Sequence, residues 1–183
     1  MSLPAIELHH FTREEYQRMG AAGLFPTRVE LVEGAIYDRS PQKSKHAVVV
    51  SLAETALRAA FGAGFYVRVQ MRLALGDDSE PEPDVAVVPG SPRDYLEGHP
   101  ETALLVVEVA DASLHHDRKR KLPLYARYGI AEAVLIDLTR SAVEVHREPG
   151  PAGYRSRTVL RRGDTLALLA CPTAAIAVAD LLP

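Results

Sequence analysis

The stretch that decides the fold runs from residue 76 to residue 90 and reads GDDSEPEPDVAVVPG. Its first half is crowded with carboxylates: Asp77, Asp78, Glu80, Glu82 and Asp84. An apolar, β-branched run follows at once, which is typical of a strand that is covered on both faces. Acidic loops before strands are common and usually solvated, so the question is whether one of these acids has a chemical role.

Length and composition indicate a single domain that spans residues 1–183. The chain is 47% hydrophobic and 25% charged, which is ordinary for a folded protein with its own core. Its formal net charge of -3 provides no global signature of nucleic-acid binding. Any nucleic acid would therefore have to be bound by a local basic patch.

The cysteine content and the hydropathy of the chain indicate its expected cellular location. The single cysteine, Cys171, excludes an intrachain disulfide and a multi-cysteine zinc site, and its apolar neighbours favour a buried, inert thiol. The N-terminus has no basic segment followed by an apolar core, and no apolar run approaches the roughly 20 residues that span a bilayer. We therefore expect a cytoplasmic protein without a membrane segment.

The N-terminal third of the chain predicts a helix, a hairpin and a second helix. Thr12 followed by Glu15 is a capping box, which predicts a short helix from about Thr12 to Gly20. The segment RVELVEGAIYD alternates apolar and polar residues around Glu33-Gly34 and predicts a two-stranded hairpin. The segment SKHAVVVSLAETALRAAFG has apolar residues at helical spacing and predicts a long helix that stops at Gly62.

The remaining segments predict a mixed sheet with helices packed against it. FYVRVQMRLAL alternates over residues 65–75 and predicts a half-buried strand, whereas DVAVV and ALLVVEVA are typical of strands covered on both faces. RKRKLPLYARYG predicts a helix that starts late or kinks at Pro123. EAVLIDL, AVEVHRE and YRSRTVLR complete the strands, with GPAG as a turn. The order of elements predicts the α/β (α+β) class.

Two acids stand at unusual places in these strands. Glu108 interrupts the apolar run ALLVVEVA, where a charge is costly unless it is paired with an arginine or bound to a cation. Asp84 begins the strand DVAVV directly after Pro83. If the two strands are neighbours, the carboxylates converge at one edge of the sheet. Two hard oxygen ligands with retained waters suit Mg²⁺ or Mn²⁺.

A third candidate element is the basic helix in HHDRKRKLPLYARYG. Asp117, Lys121 and Tyr125 have the i, i+4, i+8 spacing that places side chains on one face of a continuous helix. Arg118, Lys119 and Arg120 extend the strongest basic run of the chain. The run is either a solvated positive face, or it directs one cation into the carboxylate site while the others meet phosphates.

These residues, in this order, resemble the PD-(D/E)XK nuclease superfamily, and specifically its Uma family of restriction-endonuclease-like proteins. The matching segments are VELVEGAIY, SKHAVVVSLA, EPDVAVVP, LVVEVADAS and DRKRKLPLYARYGIAEAVLID. The resemblance covers about residues 12–140, and the C-terminal strands match only in general character. It implies a restriction-endonuclease-like mixed sheet flanked by helices.

The resemblance assigns expected roles to individual residues. Pro83-Asp84 stands for the PD pair, and Glu108 stands for the acid of the (D/E)XK strand. The expected lysine two residues on is absent, since that position is Ala110. Lys121 matches the relocated lysine of the Uma pattern, with Lys119 and Arg120 as weaker candidates. Glu30 matches an acid that often completes the site from the N-terminal part.

The function that this resemblance implies is a metal-dependent endonuclease that hydrolyses DNA. Asp84 and Glu108 would hold Mg²⁺ (or Mn²⁺), Lys121 would stabilise developing charge, and a homodimer would pair two sites. Backbone contacts are expected from three neighbouring basic residues: Arg118, Lys119 and Arg120.

Other readings of the same residues remain open. One is a catalytically inactive nuclease-like fold that serves as a nucleic-acid-binding or assembly module, favoured by the relocated lysine and the net negative charge. A weaker one is a hydrolase of a small phosphorylated molecule. Arg68 and Arg72 either extend the DNA path or are solvated, and Asp77, Asp78 and Glu80 are expected to face solvent. The remaining undefined roles are those of His46, Glu82 and Tyr125.

Overall fold

The computed structural model describes residues 7–39, 41–111 and 113–183. The strands in this part of the chain are β1 (Val29–Val32), β2 (Ala35–Asp38), β3 (Phe65–Val69), β4 (Val85–Pro89), β5 (Leu105–Ala110), β6 (Glu132–Asp137), β7 (Ala142–Gly150), β8 (Gly153–Arg161), β9 (Thr165–Ala167) and β10 (Ala175–Ala177). The helices are α1 (Arg13–Ala21), α2 (Ser44–Phe61), α3 (Leu114–His116) and α4 (Leu122–Arg127), with a π turn over Asp117–Lys121 between α3 and α4. We call residues 114–127 the site helix. Short 3₁₀ turns cover Pro92–Tyr95 and Val178–Leu181.

The main sheet is mixed, as the sequence predicts. Its six strands lie in the order β3-β4-β5-β6-β7-β8. β5 and β6 are parallel and are connected through the site helix, whereas the other neighbours are antiparallel. β1 pairs with β2, and β9 pairs with β10, in two small separate sheets. The architecture confirms the α/β (α+β) class with a mixed sheet flanked by helices.

Apolar clusters cover both faces of the central strands. Val85 and Val107 face α2, where they pack in one cluster with Leu57. Ala86 and Val106 face the site helix, where they pack with Leu122 and other apolar residues. Because side chains alternate along a strand, Asp84 and Glu108 belong to the face that the site helix covers. Within the described residues, no helix is both apolar enough and long enough to cross a membrane.

The structure confirms the turns and caps that the sequence predicts near the N-terminus. The Thr12 side chain accepts a hydrogen bond from the Glu15 N–H, and the Glu15 carboxylate accepts one from the Thr12 N–H. Glu33 and Gly34 both have positive φ, 51° and 73°, as a two-residue type I′ hairpin turn requires. Gly62 ends α2 at a φ of 65°.

Two predicted elements differ in extent. The strand predicted over residues 65–75 ends at Val69, because Gln70 adopts the left-handed region (φ 51°) and breaks the ladder. The site helix does not start late: it begins at Leu114 and passes through Pro123. The π turn lies just before the proline, where the missing N–H and the ring would break a regular α-helix.

The thiol is less buried than its neighbours suggest. Cys171 is partly exposed rather than fully buried, and its Sγ donates to the Ala60 carbonyl oxygen. This bond ties the C-terminal segment to the end of α2.

Candidate active site

One cavity of about 350 Å³ gathers the residues that the sequence singles out. Asp84, Glu108, Lys121 and Glu30 all line it, and each is at most 5% exposed. They come from four separate segments of the chain, namely β1, the residue before β4, β5 and the site helix. The fold therefore brings together the four residues predicted as catalytic.

Strand register places the two candidate metal ligands side by side. Val85 pairs with Val107 across β4 and β5, so the next pair outward is Asp84 opposite Glu108. Opposite residues of an antiparallel pair have Cβ atoms about 5 Å apart. The predicted convergence of these carboxylates thus follows from the register of two buried strands.

Asp84 is held as a carboxylate by donors on several sides. Its Oδ2 accepts from the Val109 N–H at 2.8 Å and lies 3.2 Å from His46 Nε2. Its Oδ1 accepts from the Gln70 amide at 3.3 Å. Burial raises the pKa of Asp84, but hydrogen bonding to His46, the charge of Lys121 and the Val109 N–H outweigh it and keep this pKa below its usual value.

The two carboxylate oxygens of Glu108 differ in their partners. Its Oε1 accepts from the Tyr125 hydroxyl at 2.6 Å and lies 2.6 Å from Lys121 Nζ. No hydrogen bond to its Oε2 is found among the described residues, and Glu108 lines the cavity. Burial raises the pKa of Glu108 to about 8 against the opposing charge of Lys121. The carboxyl therefore takes up a proton readily when no further cation is near.

Lys121 lies at the centre of the acidic groups. Besides Glu108, its Nζ contacts Glu30 Oε2 at 3.4 Å and donates to the Glu82 carbonyl oxygen at 3.2 Å. Burial alone lowers the pKa of Lys121, but the surrounding carboxylates outweigh it and raise the pKa, so the ammonium stays charged. The lysine reaches Glu108 from the site helix, which compensates for Ala110 in β5.

Glu30 connects the N-terminal hairpin to the cavity. Its Oε2 accepts from the Glu82 N–H at 3.1 Å, and its Oε1 lies 3.6 Å from His116 Nε2. Burial raises the pKa of Glu30, yet Lys121 and His116 outweigh this effect and bring the pKa down to about 2. Glu30 is thus the stable negative partner of Lys121.

Arg39 belongs to the site, although the sequence reasoning missed it. Its Nη2 lies 3.6 Å from Asp84 Oδ1, and its Nη1 lies 3.8 Å from Glu30 Oε2. Nη1 also donates to the Glu82 carbonyl oxygen. Arg39 directly follows the predicted hairpin, and no motif or spacing in the sequence distinguishes it from the other arginines.

The structure also places the residues whose roles the sequence left undefined. His46 lies in the first turn of α2, and its hydrogen bond to Asp84 raises the pKa of the imidazole. Tyr125 orients Glu108 through its hydroxyl. Glu82 pairs with Arg28 and with Arg39, and of these two arginines Arg39 lines the cavity.

One prediction about the acidic loop is wrong. Asp77 is exposed and Asp78 is partly exposed, but Glu80 is fully buried. Arg72 contacts one Glu80 oxygen at 3.0 Å, and Arg13 contacts the other at 3.3 Å. These two cations offset the cost of burying the charge, so Glu80 links α1 to the loop before β4.

The basic residues divide into bound and exposed ones. Arg118 is held by Glu144 and Asp137, whereas Lys119 and Arg120 are exposed on the site helix. Arg68 is buried against the rings of Tyr66 and Tyr95, each with its centroid 5.4 Å from the guanidinium carbon. Arg68 is therefore neither solvated nor open to DNA, whereas Arg72 pairs with Glu80 and keeps 38% of its side chain exposed. Their charges are taken up by aromatic rings and by Glu80.

The donor set of the cavity suits a hard divalent cation. Among the described residues, no three His, Cys, Asp or Glu side chains already cluster as a ligand set. Six carboxylates nevertheless line the cavity, against three permanent cations, Arg39, Lys43 and Lys121. These six belong to Glu30, Asp38, Asp84, Glu108, Asp111 and Asp117. The surplus of carboxylates over permanent cations fits Mg²⁺ or Mn²⁺ with retained waters, and a bound divalent cation would favour the ionised form of Glu108.

This arrangement defines a class of protein. A mixed sheet whose paired acids meet at adjacent strands, with a lysine from the crossing helix, is a restriction-endonuclease-like nuclease fold. The model of the Uma2 family, described as "Putative restriction endonuclease", matches residues 13–179. The chain therefore belongs to the Uma2 family.

A solved structure agrees at the level of the fold. The chain is similar to a protein from Anabaena variabilis ATCC 29413 described as "a putative nuclease belonging to DUF820". The two are 16% identical with a TM-score of 0.73, and the match covers 93% of this chain and 97% of the other. Among curated proteins, none matches the chain significantly.

Proposed function

We propose that the protein is a metal-dependent endonuclease that hydrolyses phosphodiester bonds in DNA. The observation that carries the proposal is the convergence of Asp84, Glu108, Lys121 and Glu30 on one cavity, in a chain of a restriction endonuclease family. Phosphodiester hydrolysis needs negative charge stabilised on phosphorus and a water activated nearby. Paired carboxylates and a buried ammonium are suited to that task.

Asp84 and Glu108 are the residues that would hold Mg²⁺ or Mn²⁺. When bound, such an ion polarises a phosphate oxygen and lowers the pKa of a coordinated water. The protein supplies the orientation: the Val109 N–H fixes Asp84, and the Tyr125 hydroxyl fixes Glu108. Glu108 is therefore presented by β5, and Asp84, directly before β4, is fixed to the same strand through Val109.

Lys121 supplies a fixed positive charge beside the reacting phosphate. Its Nζ is held between Glu108 and Glu30, so the ammonium is in place before the substrate binds. The negative charge that develops on the phosphate oxygens in the transition state is stabilised by such a preorganised cation. Glu30 acts by keeping Lys121 charged and oriented.

The surface that binds DNA would include the exposed part of the site helix. Lys119 and Arg120 would contact backbone phosphates without reading sequence, and Arg118 would contribute less because Glu144 and Asp137 hold it. A cytoplasmic homodimer, in which two cavities cut two strands, belongs to the same proposal.

A second candidate is a nuclease-like module that binds nucleic acid or assembles without cleaving. It is favoured by the low exposure of the acids, at most 5% for Asp84, Glu108 and Glu30, and by the cations that already pair with them. In this case Mn²⁺ would not bind, and DNA affinity would not depend on the cavity acids.

A calorimetric Mn²⁺ titration separates the two candidates. Asp84→Asn and Glu108→Gln keep side-chain size, and each should weaken Mn²⁺ binding by at least about tenfold. Glu80→Gln is the matched control, because it makes the same change at a buried carboxylate outside the cavity. Circular dichroism should show that all three variants are folded.

Plasmid cleavage with Mn²⁺ then tests the reaction itself. Lys121→Met should remove cleavage while leaving Mn²⁺ bound. Equal Mn²⁺ affinity in the wild type, Asp84→Asn and Glu108→Gln would refute the metal site. A wild type that binds Mn²⁺ yet cleaves no DNA would refute the endonuclease activity, whereas a wild type that binds no Mn²⁺ would support the binding module.

A further inference from the structure

Arg39 makes contact with acids from separate segments around the cavity. Its guanidinium lies 3.8 Å from Glu30, 3.3 Å from Glu82 and 3.6 Å from Asp84. Its side chain is only 15% exposed, and its N–H donates to the Arg28 carbonyl oxygen, which extends the β1–β2 pairing. The backbone is thus anchored while the side chain extends over the acids.

The contacts of Arg39 differ from those of a committed ion pair. Its separations from Glu30 and Asp84 exceed hydrogen-bond distance, and the hydrogen bond found for its side chain goes to the Glu82 carbonyl oxygen. By contrast, Arg157 donates two hydrogen bonds to the Glu144 carboxylate, of 3.0 Å and 2.7 Å. Arg39 therefore balances charge without the bidentate geometry that makes arginine pairs strong.

Arg39 and a bound metal would compete for the same oxygen of Asp84. Oδ2 is already engaged by the Val109 N–H and His46. Oδ1 has only the long Gln70 hydrogen bond and the neighbouring Arg39 guanidinium. A metal ligated by Asp84 is therefore expected at Oδ1, where it would repel the guanidinium.

The cavity provides room for the guanidinium to move. Its volume is about 350 Å³, several times that of a water molecule at about 30 Å³. The long arginine side chain can leave Asp84 by rotating its own bonds, without a shift of the anchored backbone. Planar guanidinium donors then match the oxygens of a phosphate group.

We propose that Arg39 is an exchangeable counter-ion of the site. It balances Glu30 and Asp84 in the metal-free protein, leaves Asp84 when a divalent cation binds, and then contacts the phosphate of the DNA. This inference rests on the proposed function, because it presupposes a metal at Asp84. Arg39 lies outside the motif of Asp84, Glu108 and Lys121, and its guanidinium would be exchanged for the metal ion at Asp84.

Metal affinity is the first readout. In a calorimetric Mn²⁺ titration, Arg39→Gln should bind about tenfold more tightly than the wild type, since a like charge a few ångströms from the ion is removed. Arg39→Lys keeps the charge and should stay close to the wild type. Arg72→Gln is the matched control, because it removes one of the two cations that pair with Glu80 outside the cavity, and it should change the Mn²⁺ affinity less than about twofold.

DNA affinity is the second readout. A fluorescein-labelled duplex oligonucleotide is titrated with saturating Mn²⁺ in the Lys121→Met background, where cleavage is not expected. Adding Arg39→Gln should weaken DNA binding about fivefold or more, because one charge-assisted phosphate contact is lost. Without Mn²⁺ the same change should have little effect, since Arg39 then faces the acids.

The outcomes separate this inference from the proposed function. Mn²⁺ affinity that is unchanged or weaker in Arg39→Gln, while Asp84→Asn and Glu108→Gln abolish binding, would overturn the exchange and leave the nuclease proposal intact. Tighter Mn²⁺ binding with unchanged DNA affinity would overturn the phosphate contact. Mn²⁺ binding by neither the wild type nor Arg39→Gln would overturn both proposals. Binding by Arg39→Gln alone would support the exchange.

Discussion

The ion cluster around Glu144 allows a prediction of stability against pH. Glu144 is 2% exposed in β7 and is bound by Arg118 and Arg157. Burial raises the pKa of Glu144, but the two arginines outweigh it and lower the pKa from 4.5 to about 2. Since each tenfold change in acid dissociation is worth about 1.4 kcal/mol, this lowering corresponds to about 3 kcal/mol at pH 7.

The sign follows from the lower pKa in the folded state. The stabilisation is complete above the unfolded value of 4.5 and is lost as the pH falls towards about 2. Glu144→Gln should therefore lower the free energy of unfolding by about 3 kcal/mol at pH 7 and by about half as much at pH 3. Urea denaturation at pH 3, 5 and 7 measures the difference.

Two controls make the measurement specific to Glu144. His146 lies 3.2 Å from Glu144, and burial lowers the pKa of its imidazole, so both proteins should carry His146→Gln. Glu148→Gln, on the exposed end of the same strand, should stay within about 0.5 kcal/mol at every pH. A cost of Glu144→Gln that is constant from pH 7 to pH 3 would refute the reasoning.

Three further predictions concern the caps, the site and the DNA path. Thr12→Ala should lower the free energy of unfolding by about 1 kcal/mol through loss of the helix cap, and a urea-denaturation change below about 0.3 kcal/mol would contradict this. Tyr125→Phe should lower the free energy of unfolding by about 1 kcal/mol, because the Glu108 oxygen loses one of its two partners and keeps Lys121. Calorimetry should also show weaker Mn²⁺ binding, and an unchanged Mn²⁺ affinity would refute an orienting role of Tyr125. Lys119→Ala with Arg120→Ala should reduce the slope of log affinity for DNA against log salt by about 2. An unaltered slope in fluorescence anisotropy would place the path elsewhere.

Local backbone signals explain why most elements could be predicted. The Thr12 cap, the Glu33-Gly34 turn and the Gly62 stop act within a few residues, so the sequence displays them directly. The strand of Asp84 was equally visible from its apolar run. Gln70 is the exception: its left-handed backbone ends β3 within a pattern that alternates smoothly, because periodicity reports burial and not backbone conformation.

Burial of charge could not be predicted in the same way. Glu80 and Asp77 have similar local surroundings, yet only Glu80 meets cations, one of which, Arg13, is contributed by α1. Arg39 likewise gains its role only when the hairpin folds over β4 and brings its guanidinium to Asp84. Such contacts join residues that are far apart in the sequence. No local sequence pattern around Glu80 or Arg39 therefore predicts them.

The position of the lysine has a packing explanation. Ala110 faces the same side of β5 as Glu108, and it is wholly buried in the apolar cluster that contains Leu122 and Tyr125. A lysine at that position would have its charge enclosed by these side chains, which is costly. The site helix that fills this space brings Lys121 to within 2.6 Å of Glu108 instead. Its π turn ends at Lys121, so the packing that excludes a lysine from the strand also delivers one to the same carboxylate.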